Sequence, residues 1–278
     1  MFDPILIDAH NPSPMTGHGN NTYLIVGSDQ QATLIDAGVG RPDHLADIAR
    51  HLAEPQATLR KVLVTHAHTD HASGAPAIAA AHAHARFFKR PLDSLTLARD
   101  RPWIDEDLKV GVNWEPIDEG DRIAGGGEAL IVLHTPGHSP DHLAFWHEAS
   151  RVVFTGDLVV KGSSVMIEAS RGGKLAEYLA SLERIRDLKP LRLLPAHGPL
   201  IDDPEAVLTK YVEHRRMRER QVLDALAKGR DTVQAIAERI YHGLDPALLP
   251  AARENVRAHL EKLQAEGTAV EQDGRWTT

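Results

Sequence analysis

The chain has 278 residues, no cysteine and a formal net charge of -8 at pH 7. That length buries a substantial core, as one large domain or one domain with an appendage, and the missing thiols exclude disulfides and leave metal binding to histidine, carboxylate and water. A composition of 42% hydrophobic and 25% charged residues excludes disordered and fibrous classes, and the acidic balance argues against a broad basic surface for nucleic acid.

In chain order, Met1-Phe2-Asp3-Pro4 carries no basic residue ahead of the short apolar run Ile5-Leu6-Ile7, so no secretory signal is expected and the reading is a cytoplasmic protein. Residues 22–36 predict a hairpin around Gly27-Ser28-Asp29-Gln30. Asp43 is expected to cap a helix over 45–52 that Pro55 ends. A strand over 61–65 then enters Thr65-His66-Ala67-His68-Thr69-Asp70-His71, followed by an alanine-rich helical stretch over 72–85. Ser73, Gly74, Pro76, His82 and His84 interrupt that stretch, so it is no membrane span. Strands are predicted over 130–133, after the glycine turn 125–127, and over 143–146, 151–155 and 191–194, with a helix over 174–188. This alternation makes residues 1–203 an α/β body. From residue 204 the texture changes to helices over 207–227, 232–241 and 246–266, closed by a small hairpin with Asp273-Gly274 at its turn. Residues 204–278 therefore read as a second, winged-helix-like unit, docked on the body because no flexible linker precedes it.

Three imidazoles and a carboxylate within Thr65 to His71 form the strongest chemical signal. An extended segment sends alternate side chains to one side, so His66 and His68 converge on one ion while the following turn offers Asp70 and His71 to a second. Nitrogen and oxygen donors of this kind suit zinc best, with iron and manganese as alternatives. Three later segments repeat the pattern of apolar strand, turn and metal-competent side chain: Ile131 to His138, Val152 to Asp157 and Leu193 to His197. Loops leaving strand ends collect on one edge of an α/β sheet, so these four meet. His82 and His84 lie on a predicted helix, where residues two apart face different ways, and are not expected to bind metal together. His134, inside a strand pattern, reads as a core group or one that supports a ligand from behind, rather than as a ligand. His18 reads as part of a flexible polar loop rather than a group at the site mouth, which is the alternative.

On these motifs the chain resembles the metallo-β-lactamase-fold hydrolases, and within them the subgroup named after β-lactamase-like protein 2. The supporting residues are Asn20-Asn21-Thr22-Tyr23-Leu24, Thr65 to His71, Thr135-Pro136-Gly137-His138-Ser139, Thr155-Gly156-Asp157, Pro195-Ala196-His197-Gly198-Pro199 and Tyr211-Val212-Glu213-His214-Arg215. The resemblance implies a four-layer αβ/βα sandwich with His66, His68 and His138 on one metal and Asp70, His71 and His197 on another. Asp157 would bridge the two. It also implies two zinc ions, a bridging hydroxide as nucleophile, and Asp70 as the residue that helps pass its proton to the leaving group. The net positive site this makes in an acidic chain is expected to draw anionic or strongly dipolar substrates. His142 is expected behind a ligand or at the pocket lining, and His214 and Arg215 at a substrate rim.

Substrate is less legible than reaction type. Animal members of the subgroup imply single-stranded RNA, making an endoribonuclease one reading, while fungal relatives imply carrier-bound thioesters; lactones and other esters stay open. A phosphate backbone is held by many lysine and arginine contacts, which this composition disfavours, so a small-molecule or carrier-bound partner is expected. The leading reading is a dinuclear zinc hydrolase of a phosphodiester, thioester or ester. A mononuclear iron sulfur dioxygenase would use only the first donor set. A nucleic-acid regulator would use the arginines of the first tail helix, which point in several directions.

Overall fold

The computed structural model describes residues 2–13, 16–92, 112–125 and 128–278. Its first sheet orders β1 (Ile5–Asp8), β2 (Asn21–Val26), β3 (Gln31–Ile35), β4 (Thr58–Leu63), β5 (Arg86–Lys89) and β6 (Trp114–Pro116), antiparallel as far as β3 and parallel from there on. The second comprises β7 (Arg122–Gly125), β8 (Glu128–His134), β9 (Leu143–His147), β10 (Val152–Gly156) and β11 (Arg192–Pro195) in the spatial order β11-β10-β9-β8-β7, with only the β10 and β11 pair parallel. Helices α1 (Pro42–Ala53), α2 (Thr69–Ala72) and α3 (Ala75–Ala81) connect strands of the first sheet, and α4 (Leu175–Asp187) leads into β11.

Alternation along the central strands divides their side chains between separate cores. Tyr23, Ile25, Ile35 and Leu63 meet Leu130, Val132, Leu143, Phe145 and Phe154 between the sheets. Their neighbours Leu24, Leu34 and Val62 pack with Ile48 and Leu52 of α1 and Ile78 of α3. On the other side of the second sheet, Leu133, Ala144, Trp146 and Val153 pack with Leu175, Tyr178, Leu182 and Ile185 of α4. Strands covered on both faces read as continuous apolar runs. The layers are helix, sheet, sheet, helix: the four-layer αβ/βα sandwich.

The tail comprises α5 (Pro204–Ala227), α6 (Val233–Ile240), α7 (Leu249–Ala265) and a hairpin of β12 (Val270–Gln272) and β13 (Arg275–Thr277). Asp203 caps α5 by accepting from the Ala206 N–H at 3.2 Å, and Thr232 caps α6 by accepting from Ala235 at 3.2 Å. The hairpin turns through left-handed Asp273 and Gly274, φ 52° and 78°, as a tight two-residue turn requires. One helix serves two cores. Leu208, Tyr211 and Val212 of α5 enter the outer core of the body, while Val222, Ala225 and Leu226 pack with Ile236, Val256, Leu260 and Trp276. No helix among the described residues is long and apolar enough to cross a membrane.

Several boundaries differ from expectation. α1 starts at Pro42, so Asp43 lies in its first turn and caps nothing; proline's fixed φ suits that position. β4 ends at Leu63 rather than residue 65 because the Thr65 N–H turns to the Asp36 carboxylate instead of a strand partner. The alanine-rich stretch breaks at Gly74, where a Cβ would lie 2.1 Å from the Ala37 carbonyl oxygen. His82 ends α3 and His84 follows it, so neither sits within a helix. β1, β5, β6 and β7 are short strands the pattern did not predict. Part of the glycine turn at 125–127 lies outside the described residues.

Candidate metal centre

Every donor predicted from the motifs stands on a segment that leaves the end of a strand, with Asp70 and His71 on the short helix α2 that follows β4. The turn after β4 supplies His66, His68, Asp70 and His71; the turns after β8, β10 and β11 supply His138, Asp157 and His197. His66 Nε2 and His138 Nε2 lie 2.9 and 3.1 Å from His68 Nδ1, and Asp157 Oδ2 lies 3.5 Å from His138 Nε2. Beside them, His71 Nε2 and His197 Nε2 stand 3.5 and 3.4 Å from Asp70 Oδ2. Asp157 Oδ1 reaches both of those histidines, at 3.5 and 3.2 Å. One carboxylate thus faces two donor sets, His66-His68-His138 and Asp70-His71-His197, the donor atoms of each packed within 4.8 Å of one another.

The outward nitrogens are held just as specifically, which fixes each ring's orientation. His71 Nδ1 donates to Asp36 Oδ2 at 2.9 Å and His138 Nδ1 donates to the Met166 carbonyl at 2.9 Å. His66 Nδ1 lies 3.1 Å from the Thr65 hydroxyl, which donates to both Asp36 oxygens at 3.0 Å. Asn20 Nδ2 donates to Asp70 Oδ2 at 3.0 Å, and Asn21 Nδ2 donates to the carbonyls of Pro195 and Gly198 at 2.9 and 2.8 Å, tying β2 to the His197 loop. Asp141 accepts from the Ala67 N–H at 2.9 Å and steadies the turn between His66 and His68.

Charge is divided between the two sets. Burial, reinforced by neighbouring imidazoles, lowers His66 far below its ordinary value and His68 to about 3, so both are neutral bases. Burial also opposes charge on His71 and His197. There the carboxylates win: Asp70, Asp157 and Asp36 hold His71 well above its ordinary value, and Asp157 and Asp70 raise His197 to about 10. Burial would raise Asp70 and Asp157, yet the same histidines keep both well below the usual carboxylate range. The donor chemistry fits divalent metal. The neutral imidazoles of His66 and His68 turn ring nitrogens inward, ionised carboxylates stand beside them, and Asp157 Oδ1 is shielded from solvent without a hydrogen-bond donor.

The remaining expected residues take varied places. His142 is fully buried beneath the cluster rather than at the pocket wall; its Nε2 accepts from the Asp157 N–H at 3.0 Å and its Nδ1 pairs with the Thr135 hydroxyl at 2.8 Å. Next to it, a Cβ on Gly156 would lie 2.7 Å from His142 Nε2, and φ there is 49°, so glycine lets the chain pass. His134 bonds the Pro140 carbonyl at 3.0 Å, away from the cluster. His18, His214 and Arg215 line a cavity of about 830 Å³ that also contains His68, Asp70, His138, Asp157 and His197.

Sequence reasoning gave no role to Asp36, Asp141 or Lys161, or to the side chain of Asn20, and read Arg218 only as one of the arginines on a solvated or packing face of the first tail helix. Asp36 and Asp141 are isolated acids after strands or turns. Only their complete burial, 1% exposed each, marks them as more than turn residues. Lys161 and Arg218 become visible only when α5 is folded against the body, where both line the cavity.

The sequence pattern of the metallo-beta-lactamase superfamily matches residues 15–197, and that of the beta-lactamase associated winged helix domain matches residues 232–276. A beta-lactamase-like protein 2 homolog of Drosophila melanogaster is 33% identical over 264 residues, which cover 92% of this chain and 86% of the relative. An atrochrysone carboxyl ACP thioesterase of Aspergillus chevalieri is 32% identical over 246 residues, covering 86% of this chain and 72% of the relative. A crystal structure of a metallo-beta-lactamase family protein from Thermus thermophilus has the same fold, with a TM-score of 0.80 over 99% of this chain and 98% of the other, at 22% identity. The chain therefore belongs to the metallo-beta-lactamase superfamily, as a metal-dependent hydrolase that carries the associated winged helix domain.

Proposed function

We propose that this protein is a dinuclear zinc hydrolase of thioesters and related esters or lactones, acting on small or carrier-bound substrates. The observation that supports two ions over one is Asp157, whose two oxygens face separate donor sets. A mononuclear iron dioxygenase would leave Asp70, His71 and His197 without a task. Imidazole and carboxylate donors in a chain without cysteine favour zinc, with iron or manganese as substitutes. The similarity to a protein named as a carrier-protein thioesterase favours the acyl bond. Single-stranded RNA is the weaker reading, since few cations line the cavity compared with the many contacts that hold a phosphate backbone.

In this reading His66, His68 and His138 hold one ion, Asp70, His71 and His197 the other, and Asp157 both. When bound, such a pair supplies a water acidified to a pKa of about 7 and polarises the substrate oxygen. The chain's own part is geometry and proton handling. Asp70 is oriented by Asn20, whose Nδ2 donates to its Oδ2, so its carboxylate would accept the proton of the attacking water and pass it to the leaving group. Asp36, Met166 and His142 hold the rings and the Asp157 backbone so that no reorganisation is needed during the reaction.

A panel of thioester, lactone, phosphodiester and β-lactam substrates, run on zinc-loaded protein with metal content measured in parallel, tests this. Thioester or lactone turnover with two ions per chain is expected. Asp157→Ala should reduce both occupancy and kcat/KM, the latter by about 100-fold or more. One iron per chain with thiol-dependent oxygen uptake, or full activity in Asp157→Ala, would overturn the assignment.

A further inference from the structure

The same cavity has a second end, built jointly by the body and the tail. Arg215 is only 3% exposed, yet every partner it has is neutral: its guanidinium donates to the Val165 carbonyl and, at 3.1 Å, to Asn255 Oδ1, and lies 5.2 Å from the Tyr178 ring centroid. Its Nε is shielded from solvent without a hydrogen-bond partner. A buried guanidinium ordinarily faces a carboxylate or phosphate. Among the described residues Arg215 has no such partner.

Arg218 follows one turn later on α5, on the same helix face. Its guanidinium lies 4.7 Å from the Tyr241 ring centroid and donates to Gln221 Oε1 at 2.8 Å, while its Nε also lacks a partner. From the body, Lys161 faces the same space, and neither it nor Arg218 has an ion-pair partner among the described residues. The other charged pair on this wall is internally matched, since Arg171 bonds Glu168 at 3.2 Å. Tyr241, Leu244 and Leu248 supply apolar surface beside these cations.

We infer that Lys161, Arg215 and Arg218 form an anion-recognition subsite, which binds a carboxylate or phosphate carried by the substrate away from its scissile bond. The inference rests on the hydrolase reading above and deepens it. Substrate would lie across the cavity with the reacting carbonyl at the metal donors, its anionic group against the α5 arginines and its apolar portion along Tyr241 and Leu244. Arg215, the buried member, selects charge most strongly because its wall is low in dielectric, and planar guanidinium groups match carboxylate and phosphate oxygens. A neutral substrate of the same size would leave them unanswered.

Three thioethers that cannot be hydrolysed test this by calorimetric titration of the zinc-loaded protein. They are S-methyl coenzyme A, bearing phosphates; S-(3-carboxypropyl)-N-acetylcysteamine, bearing a carboxylate; and neutral S-propyl-N-acetylcysteamine. At least one anionic probe is expected to bind about tenfold more tightly than the neutral one, equivalent to about 1.4 kcal/mol, and added salt should erode that preference. Whichever anionic probe wins identifies the source of the charge. Arg218→Gln and Lys161→Gln should each reduce the preference, and the double variant should reduce it further, leaving only what the buried Arg215 contributes. Arg216→Gln, an exposed change on the same helix, should leave it intact. Equal binding of all three probes, or a preference undiminished in the double variant, would overturn the subsite. Because no probe is cleaved, the result stands apart from the substrate panel, whose failure would overturn only the bond class.

Discussion

Asp36 shows how much of a metal centre lies behind its donors. Its backbone sits at φ 62°, a left-handed conformation uncommon outside glycine, and its buried carboxylate is satisfied by the Thr65 N–H and hydroxyl and by His71 Nδ1. Asp36→Asn keeps the shape but removes the charge that fixes the His71 ring, so affinity for the ion at Asp70, His71 and His197 should fall about 10- to 100-fold. Chelator competition would show the second equivalent leaving first; unchanged affinity for both ions would remove Asp36 from the site. The clustering of these seven side chains was legible in sequence because histidine and aspartate on segments leaving strand ends, repeated four times, are hard to explain otherwise. Asp36, Asn20 and Asp141 were not, since a lone polar residue at a turn is ordinary and its partners lie far along the chain. The 830 Å³ cavity was equally invisible, because its walls come from segments that meet only on folding.

Helix α1 carries a different kind of histidine. His44 is fully buried against β2, with Nε2 2.9 Å from the Thr22 hydroxyl and Nδ1 without a partner. Burial, helped by nearby His10, lowers its pKa to about 4. The unfolded chain protonates it near 6.5 and the folded chain only near 4, so its contribution is fully present above pH 6.5 and is lost as pH falls toward 4. The total is on the order of 3 kcal/mol. Urea unfolding at pH 7 and pH 5 should therefore show a pH dependence that flattens in His44→Gln; an identical slope in the variant would assign the effect elsewhere. Element types were otherwise largely readable. Central strands and long helices carry strong patterns, whereas edge strands such as β6, three residues long, leave almost none. The break at Gly74 depends on the Ala37 carbonyl, a contact no local pattern encodes.

At the scale of the whole molecule, α5 ties the tail into the body. A chain ending at residue 203 would lose Leu208, Tyr211 and Val212 from the outer core, at about 1.5–3 kcal/mol for each large apolar side chain. It would also lose the Tyr211 hydroxyl, which bonds both the N–H and the carbonyl of Val160 at 2.8 Å. Thermal denaturation of that truncation should show a midpoint lowered by many degrees, or an insoluble product; an unchanged midpoint would make the tail a mere appendage. The two sheets have their own fastening. Four donors leave the first and three the second, so ions held between them would act as rivets across the seam of the sandwich. Parting the sheets would then require the ions to depart, and free metal at 100 times its dissociation constant would add about 2.7 kcal/mol of resistance. Metal scarcity would shorten the life of the fold as well as silence its chemistry, so the abundance of the folded chain would itself register the supply of ions around it.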